Sequence, residues 1–139
     1  MYPRIIKGGF HTDERGEIRF NNEFNASDIK RIYIIENKEI NFVRGWQGHK
    51  IERRWFATIQ GCFEIKLICI DDWNSPNPFL EPHTFLLDEK CLDILFIPNG
   101  YISSIQGRKD NSKLLAMSDH IMGEVEDEYR FEKNYFNTI

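Results

Sequence analysis

A chain of 139 residues is long enough to bury one hydrophobic core, so we predict a single domain spanning residues 1–139. Hydrophobic residues make up 41% and charged residues 29% of the chain, which is typical of a folded globular protein and excludes a disordered one. The formal charge is −4, and the lysines and arginines are scattered among acidic residues. Without a one-sided basic stripe, nucleic acid is not an expected partner.

The sequence offers no membrane segment. The longest apolar run, residues 91–98, is interrupted by Asp93 and is too short to span a bilayer. No basic and apolar leader stands at the N-terminus, so we expect a cytoplasmic protein. The three cysteines lie in apolar segments without Cys-x-x-Cys spacing, which predicts reduced core thiols, with a metal or redox site as the alternative.

Eight segments rich in aromatic and β-branched residues are predicted to be short strands, because such side chains pack well on a pleated surface. In chain order they are residues 17–20, 29–36, 55–60, 62–71, 81–87, 93–97, 101–106 and 114–119. Turn-forming residues separate them at short, regular intervals. This spacing predicts an all-β antiparallel sandwich or barrel.

Two further features bear on the architecture. The Gln60-Gly61 turn predicts a hairpin between strands 55–60 and 62–71. The tail that begins at Gly123 is first acidic and then aromatic, and it is predicted to be either a short C-terminal helix or an edge segment packed on the barrel.

The side chains best suited to chemistry are concentrated in one stretch. Residues 44–50 read Arg-Gly-Trp-Gln-Gly-His-Lys, and Arg54 follows three residues later. An amide, an imidazole and several cations within eleven residues are the materials of a binding or catalytic site. Any active site is expected here.

Two turns resemble the cupin superfamily of small β-barrels, also described as double-stranded β-helices or jelly-roll barrels. Pro98-Asn99-Gly100-Tyr101-Ile102-Ser103 is similar to the second cupin motif, Pro-x-Gly-x-x-His, but carries Ser103 in place of the histidine. In the first motif Arg54 occupies the carboxylate position, and His49 is the remaining imidazole. A cation among the ligands opposes metal binding, so we expect no metal.

Further segments resemble the metal-independent cupins, namely the dTDP-4-dehydrorhamnose 3,5-epimerases and the dTDP-4-keto-6-deoxyhexose 3,4-ketoisomerases, which include WxcM-like domains. Residues 44–50 are similar to the ketoisomerase pattern Arg-Gly-x-His-x-His-Lys, and residues 30–34 to its Lys-Arg-x-Tyr strand. Residues 13–16, 74–76, 97–101, 116–119 and 127–130 resemble other segments of these enzymes in the same order. The resemblance implies a cupin barrel over most of the chain.

The resemblance also implies a substrate and a reaction. The substrate would be a dTDP-linked 4-keto sugar in deoxysugar and polysaccharide biosynthesis, and the reaction would remove a proton beside the ketone without a cofactor. Such a site needs a base, a stabiliser for the enolate oxygen, a proton donor and cations for the diphosphate. The resemblance also implies a homodimer, in which a second subunit would cover exposed barrel edges.

Three residues are candidates for the catalytic roles. His49 is the expected base, because imidazole exchanges protons near neutral pH. Tyr33 is the expected proton donor, and the guanidinium of Arg54 is expected to stabilise the enolate electrostatically. The structural alternatives are a histidine that is exposed at the surface or satisfied in the core, a core tyrosine and a solvated arginine.

Four residues are candidates for substrate binding. Arg15 and Arg44 are expected to contact the diphosphate, because a planar fork of donors suits paired oxyanions, although either side chain could form an ordinary surface ion pair. Gln47 occupies a position where both enzyme groups carry a histidine, and it is expected to orient the sugar. Ser103 is expected at the barrel mouth, with capping of backbone groups as its alternative.

Two other functions remain open at this stage. An amide cannot take up a proton, so Gln47 also fits a non-catalytic cupin that binds a sugar nucleotide or carbohydrate. A 3,5-epimerase is the other alternative, but the position of the epimerase tyrosine falls near Leu115, where no acid exists. The leading hypothesis is a nucleotide-sugar isomerase of the 3,4-ketoisomerase type.

Overall fold

A computed structural model describes residues 1–137, which form twelve strands and one short 3₁₀ turn. The strands are β1 (Arg4–Ile6), β2 (Gly9–Asp13), β3 (Gly16–Phe20), β4 (Arg31–Ile35), β5 (Val43–His49), β6 (Arg54–Gln60), β7 (Cys62–Cys69), β8 (His83–Asp88), β9 (Ile94–Ile97), β10 (Tyr101–Gly107), β11 (Lys113–Ser118) and β12 (Glu128–Arg130). The 3₁₀ turn, Ala26–Asp28, is capped by the side chain of Asn25. Among the described residues there is no α-helix, and no helical segment is long and apolar enough to cross a membrane.

Two five-stranded antiparallel sheets make up the body of the protein. The first has the order β1-β9-β6-β11-β4, the second has the order β12-β5-β10-β7-β8, and β2 and β3 form a separate hairpin. The predicted all-β cupin architecture is therefore confirmed. All eight predicted strands are present with small shifts at their ends, whereas β1, β2, β5 and β12 were not predicted.

The predicted hairpin across Gln60 and Gly61 is wrong. Strand β6 pairs with β9 and β11 in the first sheet, and β7 pairs with β8 and β10 in the second. Each strand therefore has two neighbours already, and the turn carries the chain from one sheet to the other. Gly61 is required there, because it has φ of 80° and an added Cβ would lie 2.9 Å from Ser112 Cα.

The main core lies between the two sheets. It is formed by apolar side chains from both inner faces, among them Phe56, Phe63, Ile65, Leu95 and Leu114, none of which is exposed to solvent. Alternation along β7 illustrates the cause, because every second residue from Phe63 to Leu67 is buried. The burial of these residues fixes the register of the strands around the site.

The C-terminal tail forms an edge segment, so the alternative of a short helix is wrong for the described residues. Strand β12 pairs with β5, and Phe136 behind it is 3% exposed. Phe136 packs edge-on against Trp46, with ring centroids 5.6 Å apart. The aromatic tail thus covers the outer face of the second sheet.

The cysteines are free, as predicted, but they are not core residues. Cys69 is exposed, and Cys62 and Cys91 are half-buried. Cys69 lies on the same face of β7 as Phe63, Ile65 and Leu67, but it is the last residue of the strand, beyond the buried core residues, and is therefore exposed.

Candidate active site

Strand β5 brings the predicted motif into a cavity at one side of the barrel. Side chains alternate along it, so Trp46 packs under the tail while Gln47 and His49 face a cavity of about 520 Å³. Gly48 lies against β10, where an added Cβ would be 2.6 Å from Ile102 Cα. The glycine therefore permits the close packing of strands that holds its two neighbours in place.

Residues from four parts of the chain line this cavity. Strand β4 contributes Arg31 and Tyr33, β5 contributes Gln47 and His49, and the loop after β5 contributes Glu52. The remaining wall is formed by the tail segment at residues 121–130. The predicted base and the predicted proton donor are thus brought to one cavity.

His49 is buried, and both of its ring nitrogens face carboxylates. Nδ1 lies 3.0 Å from Asp127 Oδ1, and Nε2 lies 3.4 Å from Glu52 Oε2. Asp127 also accepts hydrogen bonds at Oδ2 from the backbone N–H groups of Ile51 (2.6 Å) and Glu52 (2.8 Å). One carboxylate therefore fixes both the imidazole and the loop that carries Glu52.

The environment of Asp127 favours its ionised form. Burial alone would raise the pKa of this carboxyl group, but hydrogen bonds from Glu52 N, His49 and Ile51 N outweigh burial, and the pKa lies below its usual value. An ionised Asp127 accepts a hydrogen bond from Nδ1–H. The Nε2 atom of the neutral imidazole is then the one that can take up a proton.

Arg54 is buried beside this group at the start of β6, with 4% of its surface exposed. One terminal nitrogen donates to Ser103 Oγ (3.3 Å) and to the carbonyl of Gln47 (3.5 Å). Burial lowers the pKa of Arg54, while Tyr33, Glu52 and Asp127 oppose that shift. The guanidinium is therefore held in the barrel by nearby oxygen atoms, as a fixed electrostatic group requires.

Ser103 and Gln47 have polar partners within the protein. Ser103 is 2% exposed, and its hydroxyl donates to the carbonyl of Gln47 (3.3 Å) while accepting from Arg54. The side-chain amide of Gln47 donates to the carboxylate of Glu128. Ser103 is therefore placed to orient Arg54, and Gln47 lies in the walls of both this cavity and a neighbouring one.

The neighbouring cavity of about 340 Å³ holds the predicted diphosphate ligand Arg44. Tyr33, Arg54 and Ser103 line it as well, together with Arg130 from β12. Arg44 is exposed and donates from Nε to Asn37 Oδ1 (3.1 Å). Arg15, by contrast, lies on the exposed β2–β3 turn in an ion pair with Asp13 (2.7 Å) and lines neither cavity.

The amino-acid sequence also matches a known protein family. Residues 3–139 match the family model described as FdtA: WxcM-like, C-terminal. The chain belongs to this WxcM-like family. The resemblance inferred from the motifs is thereby confirmed, and no curated protein sequence matches the chain significantly.

Solved structures share the fold of this WxcM-like protein. A mutant 3,4-ketoisomerase from Thermoanaerobacterium thermosaccharolyticum in complex with TDP-4-keto-6-deoxyglucose is 20% identical, with a TM-score of 0.72 over 97% of this chain and 91% of that one. A 3,4-ketoisomerase from Helicobacter canadensis is 22% identical, with a TM-score of 0.71 over 97% and 95%. A dTDP-4-dehydrorhamnose 3,5-epimerase from Bacillus anthracis with TDP and pyrophosphate bound is 13% identical, with a TM-score of 0.71 over 88% and 74%.

The WxcM-like site contains one group of side chains close enough to suggest a cation. Potential ligand atoms of His49, Glu52 and Asp127 lie within 4.8 Å of one another. However, Arg31 lies 3.6 Å from the same Glu52 oxygen that faces His49, and Asp127 already accepts three N–H groups. A divalent ion would meet this guanidinium and displace those hydrogen bonds, so the residues fit a metal poorly.

Sequence reasoning missed Glu52 and Asp127 as site residues. Asp127 lies 78 residues from His49, and only the resemblance of residues 127–130 to the ketoisomerase C-terminus pointed to that segment. Glu52 stands three residues after His49, but it lies in a loop where no periodicity places it. Their burial, with 6% of Glu52 and 5% of Asp127 exposed, is the signal that the sequence could not give.

Proposed function

We propose that this protein is a nucleotide-sugar isomerase that acts on a dTDP-linked 4-keto-6-deoxyhexose as a 3,4-ketoisomerase. The observation that carries the proposal is the buried His49, whose Nδ1 is fixed by Asp127 while Nε2 lies in a cavity shared with Tyr33. A base oriented by a carboxylate is what removal of a proton beside a ketone needs. The ligands named for the similar ketoisomerase and epimerase structures support the substrate class.

The geometry supports a division of roles. His49 Nε2 takes the proton from the carbon beside the ketone, and Asp127 stabilises the imidazolium that forms. Arg54 is buried in the wall of the second cavity, and its guanidinium stabilises the developing enolate oxygen. Tyr33 lines both cavities and offers its phenol to the same oxygen.

The second cavity is the proposed place of the diphosphate. Arg44 and Arg130 are both exposed on its wall and can turn toward paired oxyanions. Arg15 cannot share this role within one chain, because it lines neither cavity and pairs with Asp13. Its predicted role in substrate binding therefore requires contact from a second subunit.

The test is incubation of the purified protein with TDP-4-keto-6-deoxyglucose in deuterated water. NMR should show deuterium at carbons beside the ketone and accumulation of the 3-keto isomer, both lost in His49→Ala. His83→Ala is the matched control, because His83 is exposed on β8 and lines neither cavity. Tight binding of the substrate without any exchange would refute the proposal.

A non-catalytic sugar-nucleotide module is the second candidate, and Gln47 is the observation that favours it. Its amide cannot accept a proton and is engaged by Glu128. If the natural protein binds the substrate without turnover and Gln47→His creates turnover, the module is a decayed enzyme. A 3,5-epimerase has less support, because Leu115, near the position of the epimerase tyrosine, carries no acid.

We also propose a homodimer in the cytoplasm. Apolar side chains remain exposed on the edge strand β4, where Ile32 is 64% and Ile34 is 51% exposed. A second subunit packed on this edge would bury them and occupy the unpaired backbone groups of β4. Light scattering should return twice the mass of the chain, whereas a monomer at micromolar concentration would contradict the dimer.

A further inference from the structure

Glu52 is a buried acid to which the division of roles above gives no task. Its Oε2 atom has no hydrogen-bond partner within the described residues, although only 6% of the residue is exposed. The same atom lies 3.4 Å from His49 Nε2 and 3.6 Å from a terminal nitrogen of Arg31. A buried oxygen without a partner costs free energy, so its retention beside the expected base calls for a function.

The orientation of His49 determines which of its ring nitrogens faces this oxygen. Asp127 accepts from Nδ1, so the lone pair of a neutral imidazole lies on Nε2, opposite Glu52 Oε2. Two acceptors in this position repel each other unless a proton lies between them. A single proton held between His49 Nε2 and Glu52 Oε2 would remove this repulsion.

Charged side chains from β4, β6 and the tail surround the His49–Glu52 pair. Arg31 on β4 and Arg54 on β6 are cationic, whereas Asp127 before β12 is anionic. The wall also contains the phenol of Tyr33 and the exposed side chains of Glu126, Glu128 and Arg130. With one shared proton the His49–Glu52 pair is neutral overall, so Arg31 and Arg54 face Asp127 without a second buried negative charge between them.

Ketoisomerisation requires two proton exchanges. Loss of the C3 proton leaves its electron pair in a C3=C4 double bond, and O4 gains a proton. The resulting enediol then loses the O3 proton, forms the C3 carbonyl and gains a proton at C4. No electrons enter or leave, but one carbon-bound and one oxygen-bound proton must be moved, and Gln47 can move neither.

We propose that Glu52 is a second catalytic residue, which exchanges the oxygen-bound proton while His49 exchanges the carbon-bound proton. Protonated Glu52 donates to O4 as His49 Nε2 takes the proton from C3. The Glu52 carboxylate then accepts the O3 proton as His49 returns its proton to C4. Both groups end as they began, so the cycle needs no further reactant.

This inference rests on the proposed function and has its own test in Glu52→Gln. The amide can still donate a hydrogen bond to O4 but cannot release a proton to it. Formation of the 3-keto isomer should fall at least about 100-fold, while deuterium exchange at C3 and affinity for TDP fall far less. Glu52→Asp should recover part of the turnover, and Glu81→Gln, an exposed acid outside the cavity, should match the natural protein.

A second measurement does not depend on turnover or on the folding of a variant. In the natural protein without substrate, ¹H NMR should show a downfield hydrogen-bonded proton close to the imidazole hydrogens that flank His49 Nε2, whether this proton rests on Nε2 or on Glu52. Its absence, or turnover of Glu52→Gln within about threefold of the natural protein, overturns the role of Glu52. A stoichiometric divalent ion whose removal abolishes turnover would also overturn it.

The proposed function can fail while the His49–Glu52 pair stands. If the natural protein shows the shared proton but has no turnover, the ketoisomerase function is refuted although the pair is present.

Discussion

Replacement of Asp127 by asparagine is the most informative perturbation of stability, because this carboxylate joins the tail to the active-site loop. The natural residue accepts three hydrogen bonds, from Ile51 N, Glu52 N and His49 Nδ1. In Asp127→Asn the amide oxygen can retain the two backbone donors, while its NH₂ group faces Nδ1. The change therefore keeps the shape and removes the charge.

The expected loss of stability follows from the hydrogen bonds whose acceptor changes from a charged carboxylate to a neutral amide. Bonds to an ionised group contribute about 1.5–3 kcal/mol and neutral ones about 0.5–1.5 kcal/mol. Three hydrogen bonds become neutral, the imidazole bond with its direction reversed, and each is weakened by about 1 kcal/mol, which predicts a loss of about 2–4 kcal/mol at pH 7. For a chain of this length, the melting temperature should fall by roughly 6–16 °C.

The pH dependence gives the sign of the electrostatic part. The pKa of Asp127 is lower in the folded protein than in the unfolded chain, where it is about 3.9. Its stabilisation is therefore complete above that unfolded value and is lost as the pH falls through the lower folded value. The free-energy difference between the natural protein and Asp127→Asn should shrink as the pH falls below about 4.

Urea unfolding at several pH values, with ¹⁵N NMR of His49, measures both effects. The amide should also shift the imidazole proton from Nδ1 to Nε2, because NH₂ now donates to Nδ1. Asp88→Asn is a control for the chemical change, since Asp88 is exposed at the end of β8. A stability difference that stays constant from pH 7 to pH 3, or an unchanged tautomer, would refute the reasoning.

Three other predictions concern the turn, the guanidinium and the diphosphate. Gly61→Ala places a Cβ against Ser112 at φ of 80°, so it should lower the free energy of unfolding by about 1–3 kcal/mol in a denaturant titration. Ser103→Ala removes an acceptor from Arg54, and it should lower kcat about tenfold with little change in KM if the hydroxyl orients the guanidinium. Arg44→Ala should weaken TDP binding about tenfold by calorimetry, whereas Arg108→Ala should not, because Arg108 lines neither cavity.

The strands that the sequence revealed are those with local signals. Segments such as β7 and β10 contain β-branched and aromatic residues in alternation, and their positions are close to the predicted ones. Strand β5 contains two glycines, a glutamine and an arginine, which carry little strand propensity. It is a strand because β10 and β12 pair with it on both sides, and that pairing is not encoded locally.

The false hairpin has the same cause. A Gln-Gly turn between two apolar strands indicates only that the chain reverses direction. Whether the strands pair with each other depends on the other partners available, and here β9 and β11 already flank β6. Local turn chemistry therefore located the bend but could not assign its strands to sheets.

Residue type and the family motif were enough to predict some residues of the site but not others. His49, Arg54 and Tyr33 could be named because their chemistry is rare in a core and a family motif aligned them. Glu52 and Asp127 belong to types that are usually exposed, so the sequence gives no reason to bury them. Their burial becomes intelligible only beside Arg31 and Arg54, because a buried carboxylate persists where cations and hydrogen-bond donors surround it. The imidazole thus faces one buried acid at Nδ1 and another at Nε2, so a glutamine at position 47 does not leave His49 without an acidic neighbour in the cavity.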